Sequence, residues 1–231
     1  MRTCEFARAR VLHLTIQRVD SVLRASDALR RRVMKRAWYR LRHPANVARM
    51  LSVDGMTRKA EMQLLYDLAL DAHDGCIVEI GTCVGASAVA LGHGVKAGHG
   101  VRVYAIDPYL PFIGGTGREY GPKDRVPLYK NLLRSGVAEQ VWLIQLKSEQ
   151  AARCWNEPIS LLWIDGDHSY SATRRDFDSF APFVRVGGTI AFHDSLRREF
   201  GVWRVIEETL ANGNFERTHE VGQITALKKL A

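Results

Sequence analysis

Five apolar runs constrain this chain more than any other feature: CIVEI (76–80), VRVYAI (101–106), VWLIQL (141–146), ISLLWI (159–164) and GTIAFH (188–193). Helix-like segments separate them, near 86–96, 125–136, 148–154, 170–183 and 200–211. Strand-length runs with few polar positions are buried on both faces, and strand–helix–strand alternation implies parallel pairing with helices covering the sheet. The tail NFERTHEVGQITALKKL (214–230) breaks the alternation. Its two strand-like runs meet at Val221-Gly222 with no room for a helix, so an antiparallel hairpin is expected at the sheet edge. The expectation is therefore an α/β fold with a doubly wound, mostly parallel seven-stranded sheet. A chain of 231 residues, 46% hydrophobic, can bury such a core as one large domain.

Charge divides the chain. Residues 1–50 hold 13 Lys and Arg against Glu5, Asp20 and Asp27, a balance of +10, and the remainder is close to neutral at −2. Within the basic part, Leu12, Ile16, Val19 and Leu23 recur at helical spacing ahead of Arg30, Arg31, Arg32, Lys35 and Arg36. Residues 1–54 read as a basic helical extension and 55–231 as the main domain. The extension's apolar stripe is expected to pack on its own domain or in a homodimer, or to contact an anionic membrane surface peripherally. Thr57 is placed to cap a first domain helix carrying Met62, Leu65, Leu68 and Ala69.

Cys4, Cys76, Cys83 and Cys154 are scattered without a CxxC pair, which suits reduced thiols rather than a disulfide frame or zinc site. With no membrane-length apolar run and no secretory pattern, a cytoplasmic location is expected. The long connection PYLPFIGGTGREYGPKD (108–124), with four glycines and three prolines, reads as a functional lid beside a strand's carboxyl end.

The turn after the first strand, in CIVEIGTCVGASAVALG (76–92), asks for a ligand. Glycines there permit close approach to the backbone, and ligands of open α/β sheets sit at the carboxyl ends of strands. A dinucleotide would need GxGxxG, and Cys83 stands where its middle glycine belongs. Further along, the second strand ends at Asp107, and Ser148 and Glu149 follow the third.

Glu79-x-Gly81-x-x-x-Gly85-x-Ser87, an acid ending the second strand and Ser-Glu after the third resemble class I S-adenosylmethionine-dependent methyltransferases. LLWIDGDHSY (161–170) and GGTIAFHDS (187–195) are similar to the small O-methyltransferases related to macrocin O-methyltransferase and to cephalosporin-hydroxylase-like proteins. The resemblance covers about residues 55–230 and implies a Rossmann-like domain with S-adenosyl-L-methionine as cofactor. It implies cofactor contacts at Glu79, Gly81, Thr82, Gly85, Ser87, Asp107, Ser148, Glu149 and Asp165. Carried onto the same motifs, a Mg²⁺ or Mn²⁺ site would use Asp165, His193 and Asp194, His193 being a departure from the carboxylate that relatives often carry. A hard cation would lower the pKa of an acceptor hydroxyl. His168 is the candidate general base and Asp167 its orienting partner, or else a helix cap.

The acceptor implied is a small molecule, in particular a sugar or glycosylated metabolite. The competing readings are a metal-dependent hydroxylase-like or NAD-type oxidoreductase and an RNA-binding methyltransferase. Nucleic acid is disfavoured, since no interleaved aromatic–basic surface is evident. His73, His93, His99 and His219 are assigned to surface or turns, and Trp142, Trp163 and Trp203 to the core.

Overall fold

The computed structural model describes residues 50, 53, 55–115 and 117–231. The expected basic extension, 1–54, lies outside them except for residues 50 and 53. Along the chain run α1 (Lys59–Asp71), β1 (Cys76–Ile80), α2 (Ala86–Ala97), β2 (Val103–Ile106), β3 (Phe112–Ile113), β4 (Glu119–Tyr120), α3 (Arg125–Ser135), β5 (Val141–Ile144), α4 (Ser148–Ala152), β6 (Ile159–Ile164), α5 (Tyr170–Phe180), β7 (Val184–Phe192), α6 (Val202–Ala211), β8 (Phe215–Val221) and β9 (Ile224–Lys229). Seven strands form one sheet in the order β5-β2-β1-β6-β7-β9-β8. The first five are parallel, and β9 pairs antiparallel with both β7 and β8. This is the doubly wound sheet with a terminal hairpin that the apolar runs predict.

Side chains alternate across the sheet, so each strand feeds two cores. Val78, Ile80, Tyr104, Ile106, Leu162, Ile164, Ile190 and Phe192 join Phe177, Phe180, Val202, Val205 and Ile206 in one cluster beneath α4–α6. On the other face α1 packs on α2 and α2 on α3. Helix α2 is buried on every side from Ala86 to Val95, which its small residues permit.

Helix α1 starts differently from the sequence expectation. Its N-cap is Arg58 rather than Thr57, and the Arg58 N–H is satisfied by Glu61 Oε2 at 2.7 Å. Two further assignments need correction. His93 is buried within α2, and Trp142 is half exposed on edge strand β5, where Arg102 lies 4.6 Å above its ring. Trp163 is fully buried, as expected. The long connection 108–124 carries the β3–β4 hairpin, with Phe112 stacked on Tyr120. Among the described residues no helix is long and apolar enough to cross a membrane.

Candidate active site

Ladder bonds continue one residue past the strands. Asp107 N–H reaches Ile144 O, Gly81 N–H reaches Ile106 O, Asp165 N–H reaches Ile80 O and His193 N–H reaches Ile164 O. This register sets Asp107, Gly81, Asp165 and His193 side by side across the carboxyl end of the sheet. They floor a cleft of about 890 Å³, also lined by Thr82, Ser87, Ser148, Glu149, Asp167, His168, Asp176, Asp194 and the 108–124 segment. That volume is of the size that holds a cofactor or drug-sized ligand.

The glycine turn is built for close approach. Gly81 has φ +89°, and a Cβ there would lie 2.1 Å from the Asp165 carbonyl oxygen, so no side chain fits. Cys83 adopts φ 49° and donates its N–H to Asp107 Oδ2 at 2.9 Å, while Tyr109 N–H donates to Oδ1 at 2.8 Å. Asp107 thus holds the turn in shape and lines the cleft with its remaining lone pairs.

Two expected cofactor contacts lie elsewhere. Glu79 is fully buried beneath the turn, where its Oε1 accepts the Ser87 hydroxyl; it does not line the cleft. Burial pushes its carboxyl up to about 8, with the Ser87 bond opposing and the Asp165 charge adding to the rise. Gly85, at φ +83°, faces Leu128 and likewise serves the start of α2 rather than the cleft wall.

At the β5 end, Ser148 opens α4 and donates its hydroxyl to Asp176 Oδ1 at 2.5 Å. Burial raises the Asp176 carboxyl to about 6, the Ser148 bond opposing. Asp176 was not singled out in the sequence; only its place one helical turn after Ala172 on the inner face of α5 hints at it. Glu149 is half buried, with Oε2 at 3.3 Å from Ser148 Oγ and 3.9 Å from Arg175 Nε.

At the β6–β7 end, His193 occupies the floor with both ring nitrogens facing carboxylates. Its Nδ1 is 3.0 Å from Asp165 Oδ1, and its Nε2 is 3.5 Å from Glu61 Oε2. Burial pulls the imidazolium down, but Asp165, Glu61 and Asp194 outweigh it and lift the ring to about 11. Glu61 is the main residue that sequence reasoning missed. It accepts the Arg58 and Gln223 N–H groups and is held near 2, the His193 cation and these bonds together overcoming its burial.

This arrangement does not fit the expected metal trio. A histidine ligand offers a neutral nitrogen lone pair, whereas Nδ1 of His193 lies 3.0 Å from Asp165 Oδ1, and its buried Nε2 faces the Glu61 carboxylate at 3.5 Å without a hydrogen bond. Among the described residues, no group of three or more His, Cys, Asp or Glu could hold a metal ion.

His168 lines the cleft on the loop after β6, with Nε2 3.3 Å from Asp194 Oδ2. Its ring stacks on Phe200 at 5.1 Å, and Arg197 approaches Asp194 Oδ1 at 3.8 Å. Asp194, in a left-handed conformation at φ 48°, is thus the partner of His168. Asp167 is not; its Oδ1 accepts the Ser169 N–H at 2.9 Å, shaping the turn before α5, whose N-cap is Ser169.

Known proteins agree with this architecture. The uncharacterized protein y4gI of Sinorhizobium fredii is 28% identical over 168 residues, covering 67% of this chain. The chain spans only 17% of that relative's length. Among solved structures, the O-methyltransferase NovP superposes with a TM-score of 0.62 at 16% identity, over 77% of this chain and 82% of that one. An O-methyltransferase from Bacillus cereus, solved in complex with SAH (S-adenosylhomocysteine), gives 0.57 at 22% identity, over 80% and 88%. The model of a family described as "Methyltransferase domain" matches residues 78–195, just over half of the chain. The chain belongs to this methyltransferase-domain family, with the class I S-adenosylmethionine-dependent methyltransferase fold.

Proposed function

We propose that this protein transfers the methyl group of S-adenosylmethionine to a hydroxyl of a small acceptor, a sugar or glycosylated metabolite. The observation that carries the reading is the His168–Asp194 pair, 3.3 Å apart, opening onto the same cleft as the glycine turn. The cleft fits the cofactor: Gly81 lets the turn pack directly on the Asp165 backbone at the cleft floor, Asp107 presents a carboxylate to a ribose, and Ser148 lines the β5 end. When bound, the cofactor supplies a sulfonium methyl whose carbon–sulfur bond breaks as the acceptor oxygen attacks, leaving a neutral thioether.

The chain's own task is the acceptor proton. In the His168 tautomer that places the ring proton on Nε2, 3.3 Å from Asp194 Oδ2, Nδ1 is the acceptor and takes the hydroxyl proton as the oxygen–carbon bond forms. Asp194 fixes the tautomer and stabilises the imidazolium that results. Arg197 and Phe200 hold the pair in place. No step is assigned to a metal.

Two structural relatives, NovP and the Bacillus cereus protein, are O-methyltransferases, which supports transfer to oxygen. The test is incubation of full-length protein with radiolabelled S-adenosylmethionine and separate panels of sugars, glycosides, catechols and RNA. Label on a sugar hydroxyl supports the proposal, label on catechol alone moves the acceptor class, and label on RNA alone refutes it. For the basic segment 1–54 we propose dimerisation, with loss of dimer on deleting residues 1–45 as the supporting result.

A further inference from the structure

Hairpin β3–β4 carries apolar side chains on both of its faces. Phe112 and Tyr120 stack across the strands and line the cleft. Ile113, one residue on and so on the opposite face, does not line the cleft and is 72% exposed. Leu110, Phe112 and Met56 are about half exposed beside it, and the Tyr120 hydroxyl reaches Met56 Sδ at 3.5 Å. Large apolar groups gathered at one rim, rather than scattered singly, mark a contact surface. Closure of the segment over the cleft would cover Leu110 and Phe112 but leave Ile113 in water. A single rigid protein face likewise covers only one side of a hairpin. A fluid apolar phase covers both.

Charge identifies that phase. Arg58 and Lys59 are exposed at the start of α1, and Lys123, paired with Glu119 at 3.3 Å, is exposed beside the hairpin. Residues 1–50 carry a balance of +10, and the chain enters the domain at this rim, where Gly55, Met56 and Arg58 all line the cleft. Pairing of two copies through that segment would double the positive charge. Apolar side chains flanked by Lys and Arg suit a bilayer interface, with acyl chains below and anionic headgroups above.

We infer that hairpin β3–β4 and its basic rim dock on an anionic lipid bilayer, with Ile113 and its apolar neighbours entering the interface and the cleft mouth turned to the lipid. The inference goes beyond the methyltransferase reading and stands without it.

The experiment is co-sedimentation of the full chain with phosphatidylcholine vesicles, with and without phosphatidylglycerol, alongside analytical ultracentrifugation of the free protein. Wild type should bind the phosphatidylglycerol vesicles and leave pure phosphatidylcholine largely unbound. Ile113→Asp replaces the inserted side chain with a charge and should weaken vesicle binding by about tenfold or more, with an unchanged thermal melt. Undiminished vesicle binding by a folded Ile113→Asp protein would overturn the inference, the basic segment alone then carrying the attraction. So would wild type that ignores phosphatidylglycerol, or a dimer that Ile113→Asp dissociates while vesicle binding stays the same, which would assign the hairpin to a second copy. If Ile113→Asp does not fold, Ile113→Trp provides the second measurement. A blue shift of its fluorescence over that of wild type on adding phosphatidylglycerol vesicles supports insertion, and no added shift overturns it.

Discussion

His193 Nδ1 lies 3.0 Å from Asp165 Oδ1 while its Nε2 faces Glu61 Oε2 at 3.5 Å, an imidazolium closed between two carboxylates. A cation built from the chain thus stands where the motif resemblance suggested a divalent ion. Methyl transfer is accordingly expected to survive EDTA, and added Mg²⁺ or Mn²⁺ to change the rate by less than about twofold, given that a coordinated metal would otherwise supply several kcal/mol. Metal analysis of the purified protein alongside the assay checks this. Abolition by EDTA and rescue by Mg²⁺ would show that a metal displaces His193 from its partners.

The same array predicts a pH window for stability. His193 is raised from its ordinary 6.5 to about 11, so its contribution is complete below pH 6.5 and is lost as pH rises towards 11. Glu61 is lowered from 4.5 to about 2, so its contribution is complete above pH 4.5 and is lost as pH falls towards 2. His193→Gln leaves the buried Glu61 carboxylate and the cleft-lining Asp165 without their cation and should cost about 3 kcal/mol or more. Chemical denaturation of both proteins should give the largest difference between these limits, near pH 5–6. A difference independent of pH would mean that the ring contributes packing alone.

Local pattern made the sheet and the glycine turn legible. The β1 and β6 runs match their apolar stretches residue for residue, because a strand buried on both faces leaves an uninterrupted mark in the sequence. Gly81, Asp107, Ser148 and His168 were placed by the strand ends they follow. Glu61 and Asp176 were not, because each acts across the chain: Glu61 meets His193 from another helix and Gln223 from the β8–β9 turn. Asp194 could be located but not assigned to His168, since an acid beside a histidine in sequence does not reveal which ring it faces. Glu79 was carried onto the cofactor by the motif resemblance alone, and the sequence does not tell the cleft side of a strand end from the buried side beneath the turn.

Gly81 and Gly85 share positive φ but differ in what a side chain would strike. At Gly81 a Cβ meets the Asp165 backbone, which cannot yield, whereas at Gly85 it meets a terminal methyl of Leu128, which can. Gly81→Ala should therefore cost about 3 kcal/mol or more and abolish cofactor binding. Gly85→Ala should cost about 1–2 kcal/mol with binding largely kept. Thermal melts with and without S-adenosylhomocysteine separate the two. Equal losses would show that conformation alone, and not the crowding at Asp165, sets the requirement for glycine.

The base assignment makes the most specific kinetic prediction. His168→Ala removes the proton acceptor but touches none of the residues around the glycine turn, so affinity for S-adenosylhomocysteine should remain within about twofold of wild type. Turnover should fall by roughly 10²–10⁴-fold, the usual contribution of a positioned general base. Raising pH should recover part of the loss, since hydroxide then ionises the acceptor in place of the side chain. Asp194→Asn should retain the ring but loosen its tautomer and orientation, giving a smaller loss in kcat than His168→Ala. Because both act on one proton, the double variant should be little worse than His168→Ala alone. Asp167→Asn should leave kcat near wild type, as its carboxylate shapes only the Ser169 turn. A single-turnover assay with radiolabelled cofactor at several pH values decides the matter: full multiplicative losses in the double variant, or an Asp167→Asn defect as deep as that of His168→Ala, would transfer the base role away from the His168–Asp194 pair.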